Sequence, residues 1–180
     1  VIKIPTNLAG SGNSSFHAED TDLWVVSLRM DGPVEVVRGS VMARDSTGIA
    51  LISGEKIHIS ADILLHSNLS LSPTTMDRSA HVKGGTVTRV TGGASNARLY
   101  VSRGPGLSGT SYMSRFDNVT FSADFSAASI LNQFSEADGF NNPGQSMMLF
   151  GCVFENLGNA PSDTPIGWGP NSLNAGRIHL

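Results

Sequence analysis

Carboxylate side chains are the residues of this chain best suited to chemistry. Asp117, Asp124 and Glu155 follow or flank short apolar segments in the second half of the sequence. Hydrolysis of a glycosidic bond needs two carboxyl groups about 5 to 9.5 Å apart, and the sequence does not fix any such distance. Asp117 precedes Asn118 in a turn-like segment, where an Asp is ordinary turn chemistry. These three residues are the candidates for catalysis, and the sequence favours a structural role for each.

Histidines and glycines supply two further patterns, and neither predicts a bound group. His58 and His66 lie eight positions apart, so a repeat of that length would place one above the other, but a metal site needs further ligands. The single Cys152 excludes a cysteine zinc site and an internal disulfide. The G-x-G-x-x-G pattern at residues 104–109 is not followed by helical periodicity, as a dinucleotide site requires. We therefore expect no metal and no cofactor.

The composition of the chain limits its partners. Only 15% of its 180 residues are charged, against roughly 25% in a typical domain, and the net charge is −3. Its basic residues form no cluster interleaved with aromatics, which argues against nucleic-acid binding. No stretch reaches the ~18 apolar residues of a membrane span, so we expect no membrane insertion. Low charge with many small polar residues is typical of extended β proteins on outer surfaces.

Strand-like alternation dominates the first half of the chain. From Ile57 to Leu65, aliphatic side chains alternate with mostly polar ones, the period of a half-buried strand. Val41, Ile49, Ile57 and Leu65 also recur every eight positions. Two structures explain this spacing: stacked rungs of an elongated parallel β structure, or an antiparallel meander or sandwich with hairpins of equal length. Both predict a mainly β fold.

The remaining segments define three regions. Residues 1–22 predict a flexible N-terminal arm, residues 23–158 a single β-rich domain, and residues 159–180 an extended C-terminal tail. Within the domain, Phe121, Phe125, Ala128 and Leu131 follow helical spacing, which predicts one short helix near residues 122–137. The apolar run Met147 to Phe154 predicts a buried strand.

Two segments resemble each other and a known class of protein. RFDNVTFSAD at 115–124 and LFGCVFENLGN at 149–159 both combine inward-type apolar residues, a phenylalanine and polar turns. This form resembles the rungs of parallel β-helices, and the Gly/Ser/Asn-rich, Lys-poor composition is similar to bacteriophage tailspikes, tail fibres and other virion appendages. The resemblance implies a homo-oligomer, with a trimer favoured, located on a virion or otherwise extracellular. It also implies other virion proteins as partners, and a host surface glycan as a further possible one.

Three functions fit these observations, and they differ in what the chain does to its partner. We favour a non-enzymatic virion structural protein, either a tail appendage or a capsid-associated component, that works by subunit assembly and surface attachment. The alternatives are a tailspike-like β-helix domain that binds or cleaves a host polysaccharide, and a bacterial surface adhesin. Assembly requires exposed apolar anchors, and the candidates for subunit contacts are Trp24, Ile166, Trp168, Ile178 and Leu180.

Overall fold

The computed structural model describes residues 1–45, 48–74, 80–102, 112–122, 130–134, 145–155, 166–168 and 177–179. These residues form sixteen strands and no helix. The strands are β1 Ile2–Ala9, β2 Phe16–Arg29, β3 Val34–Ala43, β4 Ile49–Gly54, β5 Ile57–Leu65, β6 Asn68–Pro73, β7 Ala80–Lys83, β8 Thr86–Arg89, β9 Leu99–Ser102, β10 Tyr112–Asp117, β11 Thr120–Ser122, β12 Leu131–Phe134, β13 Gln145–Phe150, β14 Val153–Glu155, β15 Ile166–Trp168 and β16 Arg177–His179.

All strand pairings among the described residues are parallel, within one curled sheet. The prediction of a mainly β fold is confirmed. The antiparallel meander is wrong, because a meander pairs neighbouring strands in an antiparallel way. Here the pairings are parallel, and most paired strands are separated in the chain by one or two other strands, as β3 and β5 are by β4.

The curled sheet consists of three ladders, because its long strands bend from one ladder into the next. The first ladder contains residues 16–19 of β2, 34–37 of β3 and 57–60 of β5, followed by β7, β10, β13 and β16. The second contains residues 21–25 of β2, 40–43 of β3 and 62–65 of β5, followed by β8, β11 and β14. The third contains residues 27–29 of β2, followed by β4, β6, β9, β12 and β15.

One side of each ladder carries the core. Alternate residues of successive strands align in register and are buried, so each ladder contributes columns of apolar side chains. The first ladder supplies Ala18, Val36, Ile59, Val82, Phe116 and Leu149; the second supplies Leu23, Val41, Ile63, Val87 and Phe121; the third supplies Ala50, Leu69, Leu99 and Leu131. β-branched and aromatic residues suit these pleated, one-sided columns.

The bend between the first and second ladders uses left-handed backbone conformations. Asp20, Arg38 and Asn118 have φ angles of 50°, 59° and 53°, and Gly84 and Gly151 take up the same conformation. Asn and Asp tolerate this region better than most residues, and Gly has no side chain to oppose it. The bend is tight because the backbone N–H groups of Gly84 and Asn118 each donate to a carbonyl of the next strand, both at 2.7 Å.

The predicted helix near residues 122–137 is wrong where the structure describes it. Ser122 ends strand β11, and residues 131–134 form strand β12; residues 123–129 and 135–137 lie outside the described residues. Phe121 and Leu131 match helical spacing, yet both are buried in different ladders. Alignment with apolar columns on neighbouring strands therefore outweighs the local spacing.

Other predicted segments have clear positions. β5 has the predicted bounds. The two similar segments lie side by side: β10 pairs in register with β13, and β11 with β14. Residues 1–22 contain β1 and the first part of β2, and residues 159–180 contain β15 and β16. In the described part of the chain, no helix is long and apolar enough to cross a membrane.

Candidate functional site

A column of polar side chains runs along the outward side of the first ladder. His17, Glu35, His58, His81 and Arg115 occupy aligned positions on β2, β3, β5, β7 and β10. Paired strands lie about 4.8 Å apart, so each side chain in this polar column is a direct neighbour of the next. Met148 and His179 continue the register on β13 and β16. The fold thus brings together residues that are far apart in the sequence.

Contacts join the members of the polar column. His17 Nδ1 lies 3.0 Å from Glu35 Oε2. The rings of His58 and His81 meet edge to face, with their centroids 5.1 Å apart. His81 Nε2 donates to Asp117 Oδ2 at 2.8 Å, and this carboxylate belongs to the same strand as Arg115. These contacts bring charged and imidazole groups of the polar column within hydrogen-bonding or ring-contact distance of one another.

Asp117 is a buried acid of this site with several hydrogen-bond donors around it. Only 9% of the residue is exposed, and Arg115 Nε donates to both of its carboxylate oxygens, at 2.9 and 2.8 Å. Burial acts to raise the pKa of Asp117, but the hydrogen bonds from Arg115 and His81 outweigh it, so the pKa is lowered. An ionised, paired carboxylate suits a structural charge, whereas the general acid of a glycosidase needs a raised pKa.

The surroundings of His58 lower the pKa of its imidazole. Burial lowers its pKa, and the neighbouring charges of His81 and Lys83 act in the same direction, while Glu35 on β3 opposes them. His58 is therefore neutral near pH 7, with a donor and an acceptor nitrogen available on its ring.

The lowered pKa of His58 makes folding stability depend on pH. As the pH falls, His58 of the unfolded chain takes up a proton near its ordinary pKa of 6.5, whereas His58 of the folded chain does so only at a lower pH. Stability attributable to this residue is thus intact above that pH and is lost as the pH falls through the lower pKa of the folded state. Urea unfolding between about pH 7.5 and 5 should show a larger loss for the wild type than for His58→Gln. Equal losses in both proteins would contradict this assignment.

Two of the three predicted catalytic residues lie on different ladders. Asp117 lies on the first ladder, and Glu155 is exposed at the end of β14 on the second. Asp124 lies outside the described residues. The predicted stacking of His58 and His66 is wrong, because the register places His81 beside His58 and leaves His66 just after the end of β5.

Four of the five predicted contact residues lie on described strands of the three ladders. Trp24 is half-buried on β2, with Lys3 Nζ 4.7 Å and Arg44 Cζ 4.8 Å from its ring centroid. Ile166 and Trp168 belong to β15 and align with Leu131 and residue 133 of β12. Ile178 aligns with Met147 on the first ladder. Leu180 lies outside the described residues.

Sequence reasoning missed the polar column, although one signal was present. The buried positions Val34, Ile57 and Ala80 follow one another at 23 positions, and His58 and His81 share that spacing. Glu35 also precedes His58 by 23 positions. His17 does not keep this spacing, because it lies only 18 positions before its partner Glu35.

A search for metal ligands and comparisons with known proteins give no further information about this site. The described residues contain no group of three His, Cys, Asp or Glu side chains able to hold a metal ion. No protein-family model, curated protein or solved structure matches the chain.

Proposed function

We propose that the chain is a parallel β-helical body whose three ladders wrap around one core. Parallel sheets normally have both faces covered by helices. Here the described residues include no helix, yet the inward columns of all three ladders are fully buried. Packing of the three ladders against one another accounts for that burial. Each layer of the body, made of one strand segment from each ladder, then covers the same face of the layers on either side of it.

Such a body is stabilised layer by layer and has edges at its two ends. Among the described residues β1 pairs only with β2, and Ile2 and Leu8 on this strand are exposed. Among the described strands of the second ladder β14 is the last, and Val153 on it is 49% exposed. Unpaired parallel edges and exposed apolar residues are places where further protein surface binds.

We infer from this architecture a non-enzymatic structural protein that works by assembly with further copies of itself. The observation that carries the proposal is the uninterrupted stack of parallel strands with one buried and one outward side. The lowered pKa of Asp117 argues against a role as general acid, and its hydrogen bonds to Arg115 and His81 support a structural role. The composition and the resemblance to virion appendages support a location on a virion or outside the cell. Other virion proteins and a host surface glycan are then the expected partners.

The solution mass of the protein tests this proposal. Light scattering on the purified chain should give a multiple of 18.9 kDa, with the trimer expected, at concentrations down to about micromolar. A mass of 18.9 kDa across the whole concentration range would contradict self-assembly as the function.

A further inference from the structure

The outward side of the second ladder carries a column of apolar side chains. Trp24, Met42 and Leu64 align in register on β2, β3 and β5. Each is half-buried, so each still presents part of its surface outward. We call these three residues the apolar column. Lys3 on β1 precedes it, and Thr88 on β8 follows it.

The corresponding outward positions of the other two ladders have a different chemistry. On β2, β3 and β5 the first ladder carries His17, Glu35 and His58, which are polar or charged. On β4 and β6 the third ladder carries the pair Leu51 and Ser70. Three consecutive large apolar side chains distinguish the second ladder in the described part of the chain.

Opposite charges border the apolar column. Asp22 and Asp62 are exposed on the side nearer the first ladder, in one column with Ser40. Ser40 Oγ donates to Asp22 at 2.8 Å, which holds that carboxylate at the border. Arg44, which follows Ala43 at the end of β3, is exposed on the other side and lies against the Trp24 ring.

We propose that the apolar column binds the same column of further copies of this chain, with the strand stacks of all copies pointing in the same direction. Rotation about an axis parallel to the stack brings the acidic border of one copy against Arg44 of the next, and the apolar columns then meet near the axis. Copies stacked in opposite directions would place Asp22 and Asp62 against the same acids. Protein interfaces commonly have an apolar centre and a rim of polar and charged residues that complement those of the partner.

This inference rests on the proposed self-assembly and names the surface that performs it. A cyclic arrangement about one axis closes on itself, so it yields a defined oligomer and not an open fibre. The trimer is one such arrangement. Because each contact joins two different borders, a change in charge at one border can be repaired at the other.

A charge-swap experiment tests the inference. Asp22→Lys and Arg44→Glu each place like charges across the contact, and each should raise the dissociation constant of the oligomer at least tenfold, as measured by light scattering over a dilution series. The double variant restores opposite charges and should recover most of the wild-type affinity. Lys56→Glu is the matched control, since it makes the same change in charge as Arg44→Glu at an exposed residue between β4 and β5, outside both columns, and should leave the affinity within about twofold of wild type.

The outcomes separate this inference from the proposed function. If the wild type assembles and both single variants assemble equally well, the surface is elsewhere and self-assembly stands. If the single variants dissociate but the double variant is not restored, the pairing of the borders is wrong. A monomeric wild type overturns both proposals. Each variant must also give the same circular dichroism melt as the wild type when both are diluted to the monomer. This control ensures that a loss of folding is not mistaken for a loss of assembly.

Discussion

Replacing Phe121 with alanine is expected to lower the free energy of unfolding by about 3 to 5 kcal/mol. The side chain is fully buried on the second ladder. Its ring stacks on Phe154 in the next layer, with centroids 4.7 Å apart and planes 8° from parallel. Its other neighbour is Phe116, whose ring it meets edge to face at 5.7 Å. The substitution therefore removes a large apolar group and both ring contacts, and leaves a cavity between layers.

The matched control is Phe150→Ala, because this phenylalanine is 43% exposed. Its ring lies 5.0 Å from the guanidinium carbon of Arg115, a contact worth about 0.5 to 1 kcal/mol at an exposed site. Urea unfolding followed by circular dichroism measures both variants. Losses of similar size would contradict the position of Phe121 in the core.

Replacing Gly39 with alanine should cost about 3 kcal/mol or more, which is large for the addition of one methyl group. Gly39 has a φ of 83°, in the left-handed region. A Cβ built at this position would collide with the carbonyl oxygen of Thr21 on the neighbouring strand. Since that atom belongs to the backbone of a paired strand, relief requires the two layers to separate locally.

Gly48→Ala is the control for this variant. Gly48 has no heavy atom within 4 Å of a built Cβ, and its φ lies outside the left-handed region. Alanine there is expected to be neutral or to stabilise by up to about 1 kcal/mol, because it restricts the unfolded chain. Thermal unfolding of the two variants should therefore differ in sign or clearly in size. A Gly39→Ala protein as stable as the wild type would mean that the backbone of Thr21 on β2 does not lie against Gly39 on β3.

The prediction of one buried strand from Met147 to Phe154 was wrong, since this run is divided between β13 and β14, and Phe150 and Val153 are exposed. The strand signal over β5 was accurate because alternation reports directly on one-sided burial. Strand β5 has aliphatic residues at every second position, and each of them is buried. The similarity between residues 115–124 and 149–159 also had a physical origin, since the described parts of the two segments pair in register on neighbouring strands. Phe121 and Phe154 align there and stack, which explains why both segments require a phenylalanine.

The layer length could not be predicted from local spacing. The eight-residue interval linking Val41, Ile49 and Ile57 runs through three consecutive strands and does not join partners; Val41 pairs with Ile63 instead. Layers advance by 23 positions from 34 to 57 and from 57 to 80, but by 34 from 81 to 115 and by 33 from 115 to 148. Connections of unequal length conceal the repeat.

The polar column illustrates the same difficulty for a site. His81 and Asp117 are 36 positions apart in the sequence, yet their side chains share a hydrogen bond. Only the parallel register brings them together. Arg115 and Asp117 are two positions apart on one strand, and their contact is of the kind that alternation alone implies, since side chains at i and i+2 share a face.

The most direct test of the layered parallel stack is a distance measured across it. Spin labels on cysteines introduced at His17 and Met148, in a Cys152→Ser background diluted with unlabelled chain, span five strand spacings along the polar column, about 24 Å of backbone. Labels at Glu35 and Met148 span four spacings. Pulsed electron paramagnetic resonance should find the first distance longer than the second by about 5 Å, the spacing of one layer. A first distance equal to or shorter than the second would contradict the parallel stack.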